Sequence, residues 1–275
     1  MRASTIRPVS ALLVATLLSC ATATARAEEP WPFLPDAFAL QLHGPEGFDQ
    51  TARPLSFAGG DKGPTTLTVG VTALSLAALL STELFKDTLA PEHPSVTNPN
   101  AVDRAVRNAL HWDEESMGTA ALISDILLFG VFGTSVLWAP LLSDLPYTTH
   151  LEIGLETLLV TAFLTQTTKF LVGRERPYAF YDSQPARGAD DNLSFFSGHT
   201  SLTVSLATTT AVVLSDRYPD QAVWAWTIPF ALAATTAYLR MAADKHYFTD
   251  VLVGLGTGLT VGYVVSDWRL DTWRP

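Results

Sequence analysis

The sequence predicts an all-α fold, a bundle of six helices, and three observations carry that prediction. From Gly63 onward, long apolar stretches alternate with polar loops, and runs of alternating β-branched residues are few. Hydrophobic residues make up 48% of the 275 residues and charged residues only 16%, with a mean hydropathy of +0.21. That balance is more apolar than an ordinary soluble enzyme and points to lipid or to an all-buried helical core; the six apolar segments favour the first, a bundle embedded in a membrane. No internal repeat divides the chain, so one domain is expected.

The N-terminus has the layout of a cleaved export signal over residues 1–27: Arg2 and Arg7, the apolar run Ala11 to Leu18, and Ala25-Arg26-Ala27 before Glu28. Leu17-Leu18-Ser19-Cys20 offers an alternative, a lipoprotein-type box that would leave Cys20 acylated. Either route removes or modifies the only cysteine, which excludes disulfides. Removing residues 1–27 takes away Arg2, Arg7 and Arg26 and no acid, so the formal charge moves from −10 to −13. A chain this acidic is not expected to bind nucleic acid. The expected location is a bacterial cell envelope, in the membrane or facing the periplasm.

Residues 28–62, rich in Pro and Gly, read as an extended lead-in. The helical domain is expected over 63–268, followed by a tail at 269–275. Its helices are expected at about Thr66 to Phe85, Ser116 to Leu142, Thr149 to Val172, Gly198 to Asp216, Gln221 to Arg240 and Phe248 to Ser266. The stretch 87–115 reads as a loop. A spanning helix needs about 20 apolar residues. Residues 63–82, 192–215 and 221–239 contain no Asp, Glu, Lys or Arg and come close, whereas in the third segment only 157–168 are free of charge. Gly254, Gly258 and Gly262 recur every fourth position, a spacing that lets a neighbouring helix approach closely and that reads equally well as glycines tolerated in an apolar helix.

Three clusters carry chemistry. Lys169 is followed by six residues and then Arg176-Pro177, which places two cations at the end of the third helix, with Pro177 expected to stop it. In isolation such a pair reads as a helix-end cap. Ser197-Gly198-His199 opens the fourth helix, where free N–H groups form an anion site, although Ser197 alone reads as an ordinary N-cap. Arg240 ends the fifth helix, His246 follows after five residues, and Asp250 lies four further on, at the start of the sixth. That spacing stacks the carboxylate against the imidazole, as in a surface His–Asp pair or in an acid that orients a nucleophile. If the helices run up and down, all three clusters fall at one end of the bundle.

Together, Lys169-x6-Arg176-Pro177, Ser197-Gly198-His199 and Arg240-x5-His246-x3-Asp250 resemble the three-part signature of the type 2 phosphatidic acid phosphatase and vanadium haloperoxidase superfamily. The resemblance covers residues 60–268. Phe196 stands where the family usually has Pro before Ser-Gly-His, and Leu239 where it usually has Ser before the Arg.

The resemblance implies a metal-independent phosphatase acting on phosphate monoesters, lipid phosphates such as phosphatidate or isoprenyl phosphates, through a phosphohistidine. In that scheme His246 is the nucleophile, Asp250 stabilises its imidazolium, and His199 is the general acid and base. Lys169, Arg176, Ser197, Gly198 and Arg240 bind the phosphate. No cofactor is expected. One alternative within the superfamily is a haloperoxidase with vanadate in the phosphate position, and another is a soluble periplasmic acid phosphatase. A non-catalytic phospholipid-binding protein on the same fold is a third class.

Topology poses a question. With an exported N-terminus, three crossings before Arg176 put the site on the inner side, whereas membrane members of the family generally keep it outside. Either one segment fails to span, the charged third first among them, or the helices form a soluble or surface-seated periplasmic bundle, or the N-terminus is not processed as a signal. Asp125, Glu152 and Glu156, inside apolar helices, read as structural hydrogen-bonding groups or acids at a membrane boundary, with substrate or proton-path groups as the alternative. His43, His93, His111 and His150 receive no role.

Overall fold

The computed structural model describes residues 66–139, 147–185 and 188–271, all within one compact unit. The signal, Cys20, His43 and the lead-in lie outside the described residues. Nine α-helices appear among the described residues: α1 Thr66–Leu84, α2 Lys86–Leu89, α3 Ala101–Leu110, α4 Glu114–Phe132, α5 Tyr147–Val172, α6 Pro177–Phe180, α7 Gly198–Arg217, α8 Ala222–Ala242 and α9 Phe248–Asp271. The six long ones, α1, α4, α5, α7, α8 and α9, correspond to the six expected. A turn of π-helix, Gly133–Trp138, prolongs α4, and the described residues form no sheet beyond a single parallel bridge between Val96 and Arg174.

The six-helix count omits α3, and the reason is physical. Its buried face is charged rather than apolar: Asp103 is fully buried while Val102 faces outward. An N-cap announces the helix, since the Asn100 side chain accepts from the Asp103 N–H and its amide donates back to the Asp103 carboxylate.

At the other helix ends the outcome differs from expectation in one place. α5 stops at Val172 because Gly173 adopts a left-handed φ of +55°, and a Cβ there would sit 2.9 Å from Pro91. Arg176 therefore lies beyond the helix, and Pro177 starts the short α6 instead of ending α5.

α7 is the central helix, packed by α9, α8, α5 and α4. Its interior contacts are made largely by hydroxyls. Thr165 and Ser201 are 2.9 Å apart, Thr209 donates to Thr157 at 3.2 Å, and Thr210 donates to Ser135 at 2.8 Å. The glycines of α9 let it lie directly on α7: a Cβ on Gly258 or Gly262 would fall 2.5 Å from the carbonyl oxygens of Ser201 and Ser205.

The outer faces are the reverse. Leu122, Ile126 and Phe129 on α4, Val223, Trp224 and Ile228 on α8, and Leu252, Val264 and Trp268 on α9 are exposed. Hydroxyls inside and large apolar groups outside is the pattern of helices that meet lipid. Three stretches, Glu114–Val136, Pro219–Ala242 and Phe248–Asp271, are long and apolar enough to cross a membrane. α7, expected among the spans because it lacks charge, is not one of them; freedom from charge is not apolarity in a helix this rich in Ser and Thr. Of α1, only Val69–Thr82 forms a shorter apolar stretch.

Candidate active site

The loops after α2, α5 and α8 and the first turns of α7 and α9 meet at one end of the bundle, as the up-and-down reading expects. Backbone bonds stitch them together. The Ser197 N–H donates to the Asp250 carbonyl at 3.1 Å, the Ser194 N–H to the Arg174 carbonyl at 2.9 Å, and the Trp112 N–H to the Ala242 carbonyl at 3.0 Å.

All eight residues singled out from the sequence come together here. Arg176 Nη1 stands 3.3 Å from His246 Nε2, with its Nε donating to the Asp190 carbonyl. Lys169 reaches the start of α7, where a Cβ on Gly198 would lie 3.6 Å from its Nζ. Ser197 is the N-cap of α7, its buried hydroxyl accepting from the Thr200 hydroxyl at 3.0 Å. Arg240, in the last turn of α8, directs Nη1 to the Ser124 hydroxyl at 3.1 Å and to Asp125 Oδ1 at 3.4 Å.

His246 sits between α8 and α9, where Asp244 turns the chain with φ +57°. Its own N–H and that of Lys245 both donate to the Arg240 carbonyl, capping α8. Burial and the positive charges of Arg176, Arg240 and Lys169 hold its pKa well below the usual imidazole range, so the ring is neutral. The expected stacking with Asp250 is present, with a distance: Asp250 Oδ2 is 3.6 Å from His246 Nδ1, beyond a hydrogen bond. That oxygen instead accepts from the Ser194 hydroxyl at 2.6 Å and the Tyr247 N–H at 2.9 Å.

Asp125 departs most from expectation. Read as structural, it lies on His199, with Nε2 to Oδ1 at 2.7 Å, and links that imidazole to Arg240. Asp103, Arg174 and Ser194, which touch Asp250 directly or at one remove, were also not singled out. The one available signal was the cap Asn100-x2-Asp103. A neighbouring depression of about 410 Å³ is lined by Glu92, Glu175, Asp182 and Asp191, an acidic wall that repels phosphate. Positive charge is instead gathered around His246, from Arg176, Arg240 and Lys169. Among the described residues no group of three or more His, Cys, Asp and Glu side chains is placed to hold a metal ion.

Residues 153–274 match the PAP2 superfamily. The match bears out the resemblance read from the three clusters. It takes in all three motifs and leaves α1 to α4, with Asp103 and Asp125, outside. Over 71 residues the chain is 34% identical to the lipid A 4'-phosphatase of Porphyromonas gingivalis, covering 26% of this chain and 28% of that protein. Over 139 residues it is 31% identical to phospholipid phosphatase 2 of Rattus norvegicus, covering 38% of this chain and 49% of that one. The chain thus spans between about a quarter and a half of these relatives' lengths. A PAP2-type phosphatidylglycerolphosphate phosphatase from Bacillus subtilis aligns with a TM-score of 0.38 at 18% identity, covering 74% of this chain and 96% of that one.

Proposed function

We propose that the protein is a membrane phosphatase that hydrolyses lipid phosphate monoesters through a phosphohistidine on His246. The observation that carries this reading is the arrangement of a neutral, buried imidazole whose Nε2 faces Arg176, with Arg240 and Lys169 beside it and a carboxylate behind its other nitrogen.

In the first step a phosphate monoester enters between His246 Nε2 and the Arg176 guanidinium and takes over the donors of Arg176, Arg240 and Lys169. The N–H groups at the start of α7 add to that positive field. His246 Nε2 attacks phosphorus in line, the P–O bond to the alcohol breaks, and His199 protonates the departing oxygen. Asp125 accepts from Nε2 of His199, and the proton transferred is a second one, on Nδ1, taken up as the bound phosphate dianion offsets the burial and Arg240 charge that otherwise hold this pKa down to about 4.

In the second step His199 takes a proton from water, the water oxygen attacks phosphorus, and the P–N bond breaks to release inorganic phosphate. The imidazolium present between the steps faces Asp250. Fixed cations and dipoles supply the stabilisation of the equatorial oxygens, so the reading calls for no metal.

Lipid esters are favoured as substrates because the named relatives act on lipid A and phospholipids and because apolar helix faces surround the site end. The test is phosphate release by the purified full chain from a phosphatidate in mixed micelles, compared with the His246→Ala variant. Turnover in the wild type and none in the variant supports the reading; equal turnover in both overturns it.

A further inference from the structure

Behind the His246–Asp250 pair lies a second layer of buried charge that the proposed chemistry does not use. Arg174 sits there, 7% exposed. Its Nη1 donates to Asp250 Oδ1 at 2.5 Å and to the Thr249 hydroxyl at 2.8 Å, its Nη2 donates to Asp103 Oδ2 at 2.6 Å, and its guanidinium lies 4.2 Å from the centre of the Tyr247 ring. Asp103, at 0% exposure on α3, also accepts from the Thr249 N–H at 2.9 Å and from the Thr249 hydroxyl at 2.8 Å.

We propose that Asp103 and Arg174 are positioning residues for His246, acting through Asp250: they hold that carboxylate in place and set the negative charge behind the imidazole. The proposal rests on the phosphohistidine reading and extends it to a helix outside residues 153–274.

Two arguments support it. The first is geometric. Both oxygens of Asp250 are engaged, one by Arg174 and the other by Ser194 and Tyr247, so the carboxylate cannot swing toward or away from His246 without breaking a buried charged bond. Arg174 in turn is held by Asp103, which is held by the cap of α3. Breaking such a buried set is expensive because it strands a charge.

The second argument is electrostatic. The groups facing the imidazole from the other elements are Arg176 from the loop after α5, Lys169 from α5, Arg240 from α8 and His199 from α7, all cationic or neutral. The adjacent Lys245 directs its ammonium to Gln184. Against them stand two carboxylates and one guanidinium, a layer with one net negative charge. A phosphoryl group on Nε2 makes the ring cationic, and this layer is the only anion on that side among these contacts. Asp103 is therefore what prevents Arg174 from cancelling Asp250.

Because neither residue touches the phosphate, losing either should lower kcat while KM stays within about threefold. Misplacing a reactive group by about 1 Å costs roughly 10²-fold, which sets the scale of the loss. The charge argument adds a signature that a scaffold role lacks. Asp103→Asn removes a negative charge and moves the acid limb of kcat/KM to lower pH; Arg174→Gln removes a positive charge and moves it to higher pH.

The experiment is the pH profile of para-nitrophenyl phosphate hydrolysis by the detergent-solubilised full chain, for wild type and both variants. Shifts of opposite sign with reduced kcat are expected; limbs that stay put, or move together, overturn the proposal. If Arg174→Gln does not fold, Arg174→Lys keeps the charge but not the fork. It should leave the limb in place and lower kcat, and an unchanged kcat overturns the proposal. A wild type without turnover fails the phosphohistidine reading itself, whereas an active wild type that is silenced by His246→Ala, with unmoved limbs in the Asp103 and Arg174 variants, fails only this extension.

Discussion

Arg176 Nη1 lies 3.3 Å from His246 Nε2, so a permanent cation faces the nitrogen whose lone pair must attack phosphorus. The contact has a pH consequence. Burial and the cations hold the imidazole pKa down, and the neutral, nucleophilic ring therefore persists as the pH falls. The acid limb of kcat/KM should lie below about 6.5, the ordinary histidine value. The sign for stability follows: below about 6.5 the unfolded chain binds this proton and the folded one does not, so stability declines with falling pH. A kcat/KM profile and a melting series over the same pH range check both.

His199 and Asp125 form the acid side of the reaction. His199→Ala should lower kcat by about 10²–10⁴-fold on an alkyl phosphate, because the poor leaving group needs its proton. An aryl phosphate, whose phenolate leaves unaided, should lose far less. Asp125→Asn should follow the same ranking with a smaller loss. Equal losses on both substrates would remove His199 from the leaving-group side.

The seam between α7 and α9 gives a stability prediction with its own control. A methyl at Gly258 would meet the Ser201 carbonyl at 2.5 Å, whereas one at Gly256 meets nothing within 4 Å. Gly258→Ala should cost about 1–3 kcal/mol or more by forcing the helices apart. Gly256→Ala should be neutral or stabilising by up to about 1 kcal/mol from helix propensity. Thermal unfolding of the two purified variants in one detergent compares them.

Membrane embedding predicts that Trp224 and Trp268, exposed on α8 and α9, meet acyl chains. In vesicles of lipids brominated along the chain, tryptophan fluorescence should be quenched, with less quenching in Trp224→Phe. The protein should also stay with the membrane after alkaline carbonate extraction. Full release into the supernatant would place the bundle outside the bilayer.

Much of this molecule was legible before any coordinates. The six long helices follow from apolar stretches broken by loops, and Ser197, Gly198 and His199 fall at a helix start because a Ser cap and the following run say so. The Gly254, Gly258 and Gly262 spacing left two readings even, and the structure contains the close helix contact. What stayed hidden was charge facing inward. α3 buries Asp103 and leaves Val102 exposed, so a search for apolar faces passes over it. Asp125 looked like a lone acid in an apolar helix, and only the crossing of α4 over α7 brings it to His199. Arg174 occupied a spacer position of its motif, and nothing local distinguishes it from Glu175.

The central claim is a covalent bond between phosphorus and His246, and trapping it is the most direct test. Wild-type protein mixed with a ³²P-labelled phosphate monoester and quenched within one turnover should carry label that is released by acid and retained in base, as a phosphoramidate is. The label should be absent from His246→Ala and should accumulate when the second step is slowed. Wild-type turnover with no protein-bound label under these conditions, or label that persists in His246→Ala, would contradict the account.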